Sequence, residues 1–265
     1  MTTTYAAVDQ TVQPIPLSRL VRVEMRKLVD TRAGFWLIAS MALIATLVMV
    51  VMLIVAANSS EPTDLGFADL FGVMNTPTGF LLPVMAILLV TSEWSQRGAL
   101  ATFTMEPRRE RVVIAKLITS IIAALAAVVV ALIIGAIGNV IAMLAFDAPA
   151  GSWSLSAAGL TGAVVLQVSG LLLGFGFAAL FLSTPAAIVA YFILPEAIGL
   201  VLQLIPALRD AHVAEWISPS VSSGALMSET WPTGGDWGKF LVAHAIWIGI
   251  PMSVGIWKIL RSEVK

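Results

Sequence analysis

Six long apolar stretches, separated by segments that carry nearly all the charge, set the pattern of this chain. The first is 34–57, 24 residues without a charge. The second runs from about 71 to 91, and its first half, FGVMNTPTGF, is polar and contains glycine, so its outer boundary is soft. The third, about 117–146, has 30 uncharged residues; that is long for one crossing and requires tilt or extension beyond the hydrocarbon. The fourth, fifth and sixth are 157–181, 185–205 and 240–259. Because about 20 apolar residues cross a bilayer, the pattern predicts an all-α polytopic membrane protein with six transmembrane helices. Only LSTP, Leu182 to Pro185, separates the fourth from the fifth, which makes those two antiparallel neighbours with Ser183 or Thr184 as a cap and Pro185 in the next first turn.

Charge sets the direction. Of 15 basic residues, 13 fall on one side of the six-span arrangement, leaving Arg209 and Lys239 on the other. By the positive-inside rule the 13 mark the cytoplasm, so both termini are expected there. Composition agrees with a membrane class: 58% of residues are hydrophobic and 12% charged, against roughly 25% charged in soluble domains. There is no cysteine, which removes disulfides, thiolate nucleophiles and cysteine metal sites.

Outside the spans, 1–16 reads as a flexible cytoplasmic tail and 17–33 as an interfacial helix, followed by a transmembrane domain over 34–260 and a short tail, 261–265. In LSRLVRVEMRKLVD, Leu17, Val21, Met25 and Leu28 share one face while Arg19, Arg22 and Arg26 share another, a pattern suited to the inner leaflet of a lipid membrane. Between spans two and three lies TSEWSQRGALATFTMEPRRERVVIAK. It reads as a short helix, a turn at Glu106 and Pro107, and a restart near Arg108. It is longer than a connector needs to be, and so is a candidate docking surface. The outer stretch 206–237, with Trp216, Trp231 and Trp237, suits an interfacial cover over the helix ends.

Recognisable chemistry is sparse. No GxxxxGK[ST], HExxH or GxSxG occurs, so the chain is not expected to hydrolyse nucleotide or to be an enzyme, and it is expected to bind no cofactor, metal or nucleic acid itself. Glu196, in FILPEAIGL, is the one acid well inside a span and, with His244 near the outer end of span six, is the candidate intramembrane site. Gly135 and Gly138 in span three and Gly170 and Gly174 in span four are candidate helix-packing positions.

The basic lead-in VEMRKLVDTRAGFW, the six spans, the short LSTP link and above all EWSQRGALATFTMEPRRERVVIAK resemble the permease subunit of the ABC-2 type exporter family, over roughly 17–260. The resemblance implies that the lead-in is a connecting helix and that the segment after span two is a coupling helix docking on a separate cytoplasmic ABC ATPase. Its carriers would be Glu93, Arg97, Gly98, Pro107, Arg108 and Lys116, with Leu100, Phe103 and Met105 as apolar contacts and Arg109 sharing the role of Arg108. Where family members often have threonine after the glycine, this chain has Ala99. The resemblance further implies a second permease chain, identical or related, ATP and magnesium on the partner subunit, and a bacterial plasma (inner) membrane. The alternatives are a secondary transporter worked by Glu196 or His244, and a non-transport assembly or regulatory protein.

Overall fold

The computed structural model describes residues 15–58, 66–95, 98–145 and 153–261. Among these there are helices and connecting turns but no strand, and six helical segments are long and apolar enough to cross a membrane. The protein is therefore a multi-pass, all-α membrane protein. Helix α1 (Leu17–Asp30) leads into the first span, α2 (Arg32–Asn58). The second span is α3 (Phe67–Ser95); a short α4 (Ala99–Met105) follows, then the third span, α5 (Arg109–Ala145). Spans four and five are α6 (Ala157–Phe181) and α7 (Thr184–Leu204). Three short helices, α8 (Pro206–Asp210), α9 (Val213–Ile217) and α10 (Pro219–Ser222), and a 3-10 turn (Gly224–Met227) precede the last span. That span consists of α11 (Gly234–His244), a π-helical stretch (Ala245–Gly249) and α12 (Ile250–Arg261).

Several helix limits differ from those predicted, each for a local reason. Span two begins at Phe67, four residues before the soft polar region, because Asp69 in its first turn accepts a hydrogen bond from Gly66 N at 3.0 Å. The third helix begins at Arg109, not near 117, since the basic run after Pro107 continues the same helix outside the hydrocarbon. The sixth begins at Gly234, where Thr233 and Asp236 form a capping box. The lead-in 17–33 is divided at Thr31, whose extended backbone (ψ 145°) ends α1 and whose hydroxyl accepts from Gly34 N.

The bundle is centred on α6 and α3. Their close approach is permitted by glycine: a methyl built on Gly174 would stand 2.8 Å from the Pro83 carbonyl oxygen, and one on Gly135 3.1 Å from the Phe71 backbone, bringing α5 against α3. Gly138 takes the Met49 thioether in the same way, and Gly170 faces the Tyr191 hydroxyl and the Pro83 ring. In lipid, where apolar burial between helices gives little drive, such contacts carry association through van der Waals packing. One apolar core around Phe175, Leu171 and Ile87 lies among α3, α5, α6, α7 and the last span; a second around Leu70, Met74 and Met49 joins α2, α3, α5 and α6.

The six crossings give the bundle two ends. One gathers α1, α4, the start of α5, the α6–α7 link and the end of α12, and carries most of the described basic residues. The other gathers α8 to α10 and the start of α11.

Candidate functional site

At the basic end, two acids and two lysines form a quartet buried in all but Lys27, which is half-buried. Lys116, on α5, lies 2.7 Å from Glu24 Oε2 and 3.1 Å from Glu93 Oε1, and donates to the Leu89 carbonyl at 2.9 Å. Lys27 lies 2.6 Å from Glu24 Oε1 and 2.8 Å from Glu93 Oε1. Glu24, Glu93 and Lys116 are buried. Burial pulls the Lys27 ammonium down, but Glu93 and Glu24 beside it outweigh this, so its pKa is raised above the ordinary lysine value. The four formal charges cancel, and α1, α3 and α5 are joined where each reaches this end.

The short helix α4 is fastened to this quartet. Thr102 donates to Glu93 Oε1 at 3.2 Å. Phe103 is half-buried, turned toward Trp94 (6.3 Å between rings) and lying under the Arg109 guanidinium at 4.8 Å. Arg109 also donates to the Ile259 carbonyl at 2.9 Å, tying in the last span. Glu106 is buried and accepts from Arg111, which also reaches the Ile15 carbonyl.

This geometry redistributes the expected docking residues. Leu100, Met105, Pro107 and Arg108 are exposed, Leu100 at 56% and Met105 at 71%. Glu93 and Lys116, on the spans, are buried in the quartet, and Phe103 faces inward because a seven-residue helix holds to the bundle only by burying one side. Gly98 stands at the N-cap of α4 with backbone in the right-handed region, and Arg97 lies outside the described residues. On α1 the inward face is centred on Glu24 and Lys27, while Met25, expected with the apolar face, is exposed.

The opposite end holds a cavity of about 770 Å³ between α3, α6 and α7, with residues of 219–229 and His244 on its wall. That volume is in the range of pockets for drug-sized molecules. Glu196 and His244, far apart in sequence, both line it. Phe80 and Phe192 stack at 4.8 Å across α3 and α7, with Tyr191 edge-on to Phe192. Gln167 is buried and donates to Thr78 Oγ1 at 2.7 Å and to Asn75 Oδ1 at 3.0 Å.

The cover over this end sits tightly on the helices. A methyl on Gly162 would meet the Leu226 carbonyl oxygen at 1.9 Å, and one on Gly199 the Ser218 hydroxyl at 2.7 Å. Trp247, in the π-helical stretch, donates to the Ile217 carbonyl at 2.7 Å. Glu229 accepts from Ser156 N at 3.0 Å, at the start of α6, where the positive end of the helix dipole favours a carboxylate. Glu196 accepts one hydrogen bond, from Ser220 at 3.2 Å, and has no ion pair among the described residues.

Sequence reasoning missed Glu24, Asn75, Gln167 and Tyr191. Each carried a signal: an acid in the middle of a basic helix, or a polar group inside an apolar run. Among the described residues no cluster of histidines and acids is placed to hold a metal ion. Comparison of the chain with protein-family models gives no match, and no curated protein matches it significantly.

Proposed function

We propose that this chain is the permease subunit of an ATP-driven exporter of the ABC-2 type, lying in a bacterial plasma membrane with both termini in the cytoplasm. In this reading it forms the substrate path beside a second permease chain, and is driven by separate ATPases that hold the ATP and magnesium. The observation that carries the reading is the build of α4: exposed Leu100, Met105 and Arg108 on its outer side and loop, and a fixed inner side, bonded through Thr102 to a quartet shared by α1, α3 and α5. A helix anchored in this way moves the spans when it is pushed. Apolar anchors supply most of the affinity for such a partner, and rim arginines steer its approach. The cavity at the far end supplies a place for cargo, and the ion-paired basic end the mechanical link.

The test is affinity purification of the tagged chain from its native cell in mild detergent, comparing wild type with a combined Leu100→Asp, Arg108→Glu variant. Recovery of a P-loop ATPase by wild type and its loss from an intact variant is the expected result. Intact wild type that recovers no ATPase, yet carries out ion-coupled flux alone, would replace the reading with a secondary transporter.

A further inference from the structure

Resting on the transport reading, we propose that the cavity binds an amphipathic organic cation, with Glu196 as its counter-ion and the Phe80, Tyr191 and Phe192 rings as its apolar bed. Both acids on the cavity wall are carboxylates without a facing lysine or arginine, since among the described residues no basic side chain other than His244 lines it. Glu229 is already engaged at the start of α6, which leaves Glu196 as the acid whose charge is not matched.

The neutral polar groups of the wall include acceptors beside the hydroxyls of Thr76, Tyr191, Ser220 and Ser223. His244 is about nine-tenths buried, and its Nδ1 lies 2.9 Å from the Phe240 carbonyl. A carbonyl only accepts, so in the neutral ring Nδ1 carries the proton and Nε2 keeps its lone pair. Pro83 and Pro195 have no N–H, so the carbonyls four residues earlier, Gly79 and Tyr191, have lost their α-helical donors; both residues line the cavity. A carboxylate beside aromatic rings, with no lysine or arginine on the wall, favours a ligand that brings positive charge and apolar bulk. The faces of the rings attract cations for the same reason. An anionic ligand meets repulsion from two carboxylates and finds no cation to pair with.

The experiment uses the whole chain purified in nanodiscs without any ATPase, and two probes of nearly equal shape and opposite charge, tetraphenylphosphonium and tetraphenylborate. Saturable binding of tetraphenylphosphonium, weakened about tenfold or more by Glu196→Gln and by Phe192→Ala, is expected; about tenfold is the order of one charge pair or cation–π contact. Glu229→Gln serves as the control for general loss of negative charge and is expected to weaken binding less. Equal or tighter binding of tetraphenylborate, or unchanged binding in a folded Glu196→Gln protein, overturns the inference. Because no ATPase takes part, an exporter with a different cargo would still recover its ATPase while failing here, and a cation-binding secondary transporter would do the reverse.

Discussion

The two ends of the bundle treat charge in opposite ways: the acids of one are buried, while Glu196 at the other is exposed. At the basic end Glu24 and Glu93 are each matched by lysines at 2.6–3.1 Å, and the helices close around them. At the other end Glu196 has a single serine donor and stands on the wall of a large cavity. A matched, desolvated network resists rearrangement, because opening it strands a charge. An unmatched acid beside open volume leaves interaction capacity for something the chain does not supply. The difference divides a rigid link from a receptive site.

The comparison is broken most directly by removing one member of the quartet. Lys116→Ala leaves two buried carboxylates sharing the single charge of Lys27, and is expected to cost about 3–5 kcal/mol of stability, read as a fall in the thermal midpoint of the purified protein in detergent. A change as small as that of a surface lysine would mean the quartet is hydrated and joins nothing.

Packing gives a second contrast. At the basic end a methyl on Gly255 would lie 2.5 Å from the Ala179 backbone, whereas Gly72, on the cavity wall, has nothing within 4 Å. Gly255→Ala is expected to cost about 1–3 kcal/mol by overpacking, and Gly72→Ala to change stability by less than about 0.5 kcal/mol, in the same thermal assay.

Glu196→Gln sharpens the chemical side. If the acid serves a ligand and not the fold, stability changes by less than about 0.5 kcal/mol while binding or transport falls. A large loss of stability would move Glu196 into the structural class with Glu93.

The smallest effect is expected from pH. Lys27 has a raised pKa in the folded protein, so its contribution is complete below the ordinary lysine value of 10.5 and is lost as pH rises through the folded value. Stability in the alkaline range above about pH 10.5 should therefore fall less steeply in Lys27→Met than in wild type; identical slopes would show that Lys27 is not held by its two acids.

The fold was largely legible because membrane spans announce themselves as uncharged runs, and all six are present as helices. Their ends were less so: RRER before span three and GGDW before span six are polar, yet helical propensity and a capping box extend the helices through them. The inward turn of Phe103, and the pairing of Glu24 with Lys116 across 92 residues of sequence, depend on tertiary packing that no local pattern encodes. Glu196 could be picked out because a carboxylate is expensive inside an apolar span. Its meeting with His244 on one wall follows from the bundle's topology and was not visible in either local motif.

The most direct test of the division between ends exploits the absence of cysteine from the chain. A single thiol introduced by Leu100→Cys at the basic end, or by Ser220→Cys at the cavity, is labelled in native membranes with a short photo-crosslinker. The account predicts a covalent adduct with a P-loop ATPase from residue 100 and none from residue 220. Absence of such an adduct at 100 from folded protein, or its appearance at 220, would contradict it.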